Sequence, residues 1–135
     1  MIKKNTLLFS LILFFIDCGP KIAPITIQTD EGLSIKITKI KPDKANNRLN
    51  GYMEITNTTD GYVLVSNQEI FLFCDQEKSR TFVRMAGEWE IDQKLIGLQG
   101  GKTVFFDVYW ELPSYSEGKE LRGEYIKVLE RENSK

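Results

Sequence analysis

The chain has 135 residues, with 18 lysines and arginines against 19 acidic residues and a net charge of −1. This length suits one domain, and the interspersed charges form no basic patch of the kind that nucleic-acid binding requires. The sequence contains no histidine, the residue that most often serves as a general base or metal ligand. We therefore expect no nucleic-acid partner, no cofactor, no metal site and no catalytic residues.

The first eighteen residues have the layout of an export signal. Lys3 and Lys4 make a basic start, residues 7–16 are apolar apart from Ser10, and Cys18 follows. A short apolar run after a basic start is typical of secretory signals. It is too short to cross a bilayer as a helix, which takes about 20 residues. The sequence thus predicts an exported protein.

A cysteine at the end of the apolar run resembles the signal of bacterial lipoproteins. Phe15 and Ile16 match the looser, spirochaete-like form of that signal, while Asp17 stands where a small residue is usual. The resemblance implies that residues 1–17 are removed as a signal peptide and that Cys18 is lipidated. It also implies attachment to the cell envelope, at the outer membrane or cell surface rather than the inner membrane. An uncleaved anchor and a plain signal followed by an unrelated cysteine are the alternatives.

A tether and a series of short strands are predicted next. Residues 18–32 carry two prolines and a turn sequence, which indicates a tether that enters a first short strand. From Leu33 onward apolar and polar residues alternate, the pattern of a strand with one wet face. The predicted strands lie near residues 25–29, from residue 33 onward, and at 48–57, 62–66, 69–74, 80–85, 103–112 and 121–129, with polar loops at 42–47, 57–61 and 75–78.

The strand at 103–112 has the clearest alternation. One set of side chains is Val104, Phe106, Val108, Trp110 and Leu112, and the other is Phe105, Asp107, Tyr109 and Glu111. We expect the first set, with Trp110, to face the core, and Phe105 and Tyr109 to face outward. An outward aromatic pair marks a covered sheet or a recognition surface. Phe105 and Tyr109 are therefore the candidate binding surface, with covering by the tether or by residues 88–98 as the favoured alternative.

The whole pattern predicts an all-β fold. About seven to nine short strands with frequent turns, and no capped helical pattern, are typical of an antiparallel β-sandwich, here at residues 33–130 before a charged tail at 131–135. Segments 51–59, 70–75 and 98–113 resemble, in order and spacing, the immunoglobulin-like (telokin-like) domains of small exported bacterial proteins. That resemblance implies an immunoglobulin-like sandwich. It implies no particular activity, because the family has no agreed function.

Two smaller motifs are interpreted as structural. Cys74 ends the apolar run 70–73, where a lone cysteine is typically a small buried side chain. Asn57-Thr58-Thr59 matches a glycosylation acceptor, but we expect it to serve the turn at 57–61.

Two functional hypotheses follow. The favoured one is a lipid-anchored, non-enzymatic binding or structural module that contacts the membrane through its lipid and an envelope protein or polymer through a sheet face or loops. The alternative is an envelope hydrolase or enzyme inhibitor that uses carboxylates near Trp89, since Glu88 and Glu90 would share one face of a strand. Residues 88–98 fit an irregular strand or a helical turn. The sequence leaves the oligomeric state open.

Overall fold

A computed structural model of the chain describes residues 22–84, 90–91 and 95–127. The predicted signal peptide, Cys18 and the tail at 131–135 lie outside these residues. Within them the chain forms eleven strands and one 3-10 turn, Asn67–Glu69. The strands are β1 (Ile25–Gln28), β2 (Leu33–Asp43), β3 (Arg48–Asn57), β4 (Val63–Ser66), β5 (Ile70–Cys74), β6 (Glu77–Arg80), β7 (Phe82–Arg84), β8 (Glu90–Ile91), β9 (Leu95–Leu98), β10 (Thr103–Trp110) and β11 (Leu121–Tyr125).

The strands form three antiparallel sheets. A six-stranded sheet has the order β1-β2-β3-β10-β7-β8, a three-stranded sheet has the order β11-β5-β6, and β4 pairs with β9. One apolar cluster draws buried side chains from all three sheets, including Ile35 and Met53 from the first, Leu72 from the second and Val65 from the third. The predicted all-β antiparallel sandwich is therefore confirmed, with more strands in the described residues than the seven to nine expected.

The chain passes from the three-stranded to the six-stranded sheet at Thr81. The polar loop predicted at 75–78 is wrong in its second half, because β6 begins at Glu77 and runs to Arg80 in the three-stranded sheet. Of the strand predicted at 80–85, residues 82–84 form β7 in the six-stranded sheet. Thr81 is fully buried, and both its backbone N–H and its Oγ1 donate to the carbonyl of Ile70, at 3.1 and 2.7 Å. The chain thus changes sheets at a residue that is itself hydrogen-bonded in the core.

A β-bulge changes the phase of β2. Leu33, Ile35 and Ile37 are fully buried as their alternation predicts, but Ile40, which is out of phase with them, is also buried. The register of β2 against β3 shifts between Thr38 and Lys41, and Lys39 has a left-handed φ of 55°. A bulge inserts one residue and so exchanges the two faces of the strand, which turns Ile40 inward.

The hairpin after this bulge is longer than predicted. Pro42 and Asp43 pair with Leu49 and Arg48, so the strand continues through the first part of the predicted loop at 42–47. The boundaries of β3, by contrast, agree with the predicted strand at 48–57. The last strand, predicted at 121–129, is assigned to Leu121–Tyr125, and the Ile126 N–H continues its register by donating to the Glu69 carbonyl at 2.7 Å. Residues 128–129 of the predicted strand lie outside the described residues.

Asn57 holds the turn that follows β3. Its side chain is fully buried and donates to the carbonyls of Gly61 and Leu98, at 2.8 and 2.9 Å. Its Oδ1 accepts from the N–H and hydroxyl of Thr59, at 2.9 and 2.7 Å. All the hydrogen-bonding capacity of the amide thus goes to the turn and to β9, and a buried amide of this kind is closed to glycosylation.

Trp110 lies in the core, as its position in the sequence predicts. It is fully buried, and its Nε1–H donates to Thr81 Oγ1 at 2.8 Å. Its ring lies against the backbone of Gly51 on β3, where a Cβ would approach the ring to 2.7 Å. The absence of a side chain at Gly51 therefore makes room for the indole.

Replacing Trp110 with alanine should lower the free energy of unfolding by about 3–5 kcal/mol, the usual cost of truncating a large buried aromatic side chain. Phe105→Ala on the same strand is the matched control, because Phe105 is 51 % exposed. Urea denaturation of both variants measures the difference. A loss below about 1 kcal/mol for Trp110→Ala would contradict a core position.

Candidate functional site

The outer face of the six-stranded sheet carries cross-strand rows of large side chains. In one row Lys36, Glu54 and Phe105 are register neighbours on β2, β3 and β10. In the next row Thr38, Tyr52 and Asp107 occupy the same strands, with Arg84 of β7 beside Asp107. Side chains directly opposite or diagonal to one another on one sheet face are close enough to interact. This face therefore combines aromatic and charged groups of both signs.

Tyr52 and Phe105 stack on this face. Their ring centroids are 5.9 Å apart and the rings are inclined by 18°. Phe105 pairs with Glu54 and Tyr52 pairs with Asp107, so the two rings are diagonal neighbours. The Lys39 Nζ lies 5.4 Å from the centroid of the Tyr52 ring. We call Tyr52, Phe105, Lys39, Glu54 and Asp107 the outer aromatic surface.

Tyr109 lies on the same side of β10, but it is covered. Phe82 of β7 stacks on its ring with a centroid separation of 4.9 Å, and the Arg48 guanidinium lies 4.0 Å from the ring centroid. Tyr109 is consequently only 7 % exposed. The structure therefore separates the two residues predicted to form one surface: Phe105 is open, whereas neighbouring strands of its own sheet cover Tyr109.

Arg48 is held over Tyr109 by a second contact. Its Nε lies 3.5 Å from a carboxylate oxygen of Asp43. Hydrogen bonds from the Asn46 and Asn50 side chains, together with the Arg48 charge, hold the pKa of the Asp43 carboxyl below its usual value. Asp43 therefore stays ionised at neutral pH and compensates the charge of Arg48.

An open groove lies at the end of the sandwich where β2 ends, β3 begins and the chain leaves β10. Its floor includes the buried side chains of Ile40, Leu49 and Leu112. Ile22, Ala23 and Pro24, just before β1, line one side. The charged residues that line it are Lys39, Lys41, Lys44, Arg48, Asp43 and Glu117. The groove thus has an apolar floor and a predominantly basic rim.

A buried carboxyl group, Glu69, is engaged in a structural role. Its Oε1 accepts from the Ser66 N–H at 2.8 Å in a capping box around the 3-10 turn, and from the Tyr125 hydroxyl at 3.3 Å. Burial, reinforced by the Glu69 charge, raises the pKa of Tyr125 well above its usual value. The pair therefore joins the turn to β11 through its hydrogen bonds.

The other candidate groups for chemistry are scattered or lie outside the described residues. Cys74 is free and fully buried. In residues 22–84, 90–91 and 95–127 no cluster of three or more potential ligands could hold a metal ion. Glu88, Trp89 and the side chain of Glu90, which the hydrolase or inhibitor hypothesis requires, lie outside the described part of the chain.

Comparison of the chain with protein-family models, with curated proteins and with solved structures finds no match in any of the three. In the part of the chain that the structure describes, no helix has the length and apolar character needed to cross a membrane. The function is therefore inferred from the residues of this chain alone.

Tyr52 is the aromatic residue of the site that the sequence did not single out; Lys39, Glu54 and Asp107 were not predicted as site residues either. Tyr52 alternates with Met53 and Ile55, which are buried on β3, so the outward orientation of Tyr52 could have been read from the alternation. The stacking partner of Tyr52 could not be read from the sequence, because the stack with Phe105 depends on the pairing of β3 with β10, which are about 50 residues apart.

Serine substitutions should separate the two residues of the predicted surface. We expect Tyr109→Ser to cost about 2–4 kcal/mol of unfolding free energy, through lost apolar burial and the lost ring pair with Phe82. Phe105→Ser should cost less than about 1 kcal/mol, because half of its side chain is already in water. Urea denaturation measures the free energy of unfolding of both variants, and an unchanged m-value shows that the difference is one of stability. Equal losses would contradict the assignment of Tyr109 as covered and Phe105 as open.

Proposed function

We propose that this chain is a lipid-anchored protein of the bacterial cell envelope whose β-sandwich is a non-enzymatic module that binds a protein partner. The observation that carries the binding role is the stacked pair of Tyr52 and Phe105, of which Phe105 is 51 % exposed on the outer face of the sheet. The order of basic start, apolar run and Cys18 supports the anchor.

The outer aromatic surface has the composition of a protein interface. Aromatic residues are enriched at the centres of such interfaces, and charged residues surround them at the rim. Here the stacked rings have Lys39, Glu54 and Asp107 beside them. Small-molecule sites are concave and enclose their ligand, whereas these side chains project from the face of a sheet. A partner with a complementary surface therefore suits this site better than a small ligand does.

The chemistry of the described residues supports a binding module rather than an enzyme. The sequence has no histidine, the Cys74 thiol is inaccessible, and the buried Glu69 carboxyl is occupied by the turn cap. The groove at the end of the sandwich has an apolar floor, and most of the charged residues that line it are basic. This arrangement offers charge and shape for binding and no nucleophile paired with a base.

The anchor is tested by metabolic labelling with a palmitate analogue in cells that produce the full chain. The wild type and a Cys74→Ala variant should incorporate the label, and Cys18→Ala should lose it. Cys74→Ala is the matched control because it removes the other cysteine of the chain. Equal labelling of the Cys18→Ala variant and the wild type would refute the lipid anchor.

The binding surface is tested by photo-crosslinking in the same cells. A photoreactive amino acid at Lys36, which is exposed beside the outer aromatic surface, should give a crosslinked species of defined mass. Phe105→Ser should abolish that species without unfolding the domain. Leu95→Ser is the matched control, since Leu95 is 53 % exposed on a different sheet. A crosslink that survives Phe105→Ser, or is lost equally with Leu95→Ser, would refute this surface as the binding site.

A further inference from the structure

The groove lies close in sequence to the proposed site of lipidation. Ile22, Ala23 and Pro24 line it, and Cys18 is four residues before Ile22. Four residues span at most about 14 Å when fully extended. This upper limit holds for any path of the chain between the two residues. Acyl chains on Cys18 therefore place Ile22, at this end of the sandwich, within about 14 Å of the membrane surface.

The charges at this end complement an anionic membrane. Four cationic side chains and two acidic ones line the groove. Arg48 is already paired with Asp43, while Lys39, Lys41 and Lys44 are exposed around the rim. Anionic lipid headgroups attract basic residues near their surface, and each such lysine strengthens binding about fivefold. The short connection and the basic rim thus point to the same surface.

We propose that the groove end docks on the anionic phospholipid headgroups of the membrane that holds the Cys18 lipid. This inference rests on the lipid anchor proposed above. Lys41 and Lys44 of the rim contact phosphate groups, and the contact fixes the orientation of the domain rather than leaving it free to rotate on its anchor. The basic contact also strengthens the attachment that the acyl chains provide.

Docking in this orientation has a consequence for the outer aromatic surface. β3 starts at the groove with Arg48 and ends at Asn57, a rise of about 30 Å for ten residues. The turn at 57–61 therefore lies at the far end of the sandwich. Tyr52 and Phe105 lie partway along the sheet, where a partner can approach them from the side.

The orientation is measured by energy transfer from the domain to labelled lipid headgroups. The full lipid-bearing chain is inserted into the outer leaflet of vesicles, made either of phosphatidylcholine or of a mixture with phosphatidylglycerol. A donor dye is attached through Ala45→Cys, in the turn at the groove end, or through Asp60→Cys, at the far end; buried Cys74 does not compete for the dye. In phosphatidylglycerol vesicles we expect strong transfer from position 45 and weak transfer from position 60.

A charge-reversal pair tests the role of the lysines. Lys41→Glu combined with Lys44→Glu should lower the ratio of docked to undocked domain by at least about 25-fold, from about fivefold for each lysine removed. Lys36→Glu combined with Lys102→Glu makes the same change of net charge away from the groove and should leave the transfer unchanged. A thermal melt confirms that both pairs are folded, as expected for exposed positions.

The outcomes separate the two proposals. If the chain remains with the vesicles but positions 45 and 60 give equal transfer, the docking is wrong and the anchor stands. Transfer that is independent of phosphatidylglycerol, or unchanged by the groove pair, also overturns the docking. If the wild-type chain does not remain with the vesicles, the anchor is wrong and the docking falls with it.

Discussion

The six-stranded and the three-stranded sheets are joined at Thr81, and much of the remaining structure depends on the hydrogen bonds of this residue. Its N–H and hydroxyl donate to Ile70 on one sheet, and its Oγ1 accepts from Trp110 on the other. Its carbonyl accepts from the side chain of Asn67 at 2.6 Å. A buried polar group without partners is costly, so this residue is stable in the core only when both sheets are in place. It links the assembly of the two sheets.

The crossover at Thr81 determines which aromatic rings on the outer face of the six-stranded sheet are covered. Because the chain enters the six-stranded sheet just after Thr81, β7 pairs with β10 at residues 107–109 and puts Phe82 directly beside Tyr109. The described pairing of β7 does not extend to Phe105, which has β3 as its neighbour and the Tyr52 ring as its contact. The same strand thus presents one covered ring and one open ring.

The proposed anchor, groove and aromatic surface are compatible with one another in a single orientation. The groove and the first described residues lie at one end of the strands, and the turn held by Asn57 lies at the other. The outer aromatic surface is carried by the middle of β3 and the adjoining part of β10. A membrane contact at one end therefore leaves the sheet face free, and the rigid sandwich sets the height of the aromatic pair above the membrane.

The sequence by itself determined the features that depend on local alternation and turn chemistry. It predicted the boundaries of β3, the core position of Trp110 and the outward direction of Phe105. These follow from the two-residue period of a strand, in which each side chain faces opposite to its neighbours.

Only the tertiary structure decided which side chains meet. The bulge that turns Ile40 inward, the crossover at Thr81, the stack of Tyr52 on Phe105 and the covering of Tyr109 by Phe82 and Arg48 all require a partner strand. The groove likewise exists because residues 22–24, 39–49 and 112–117 converge at one end of the sheets. Alternation fixes the face on which a side chain lies. What covers that face depends on long-range pairing and register, and those are set by the packing of the whole core.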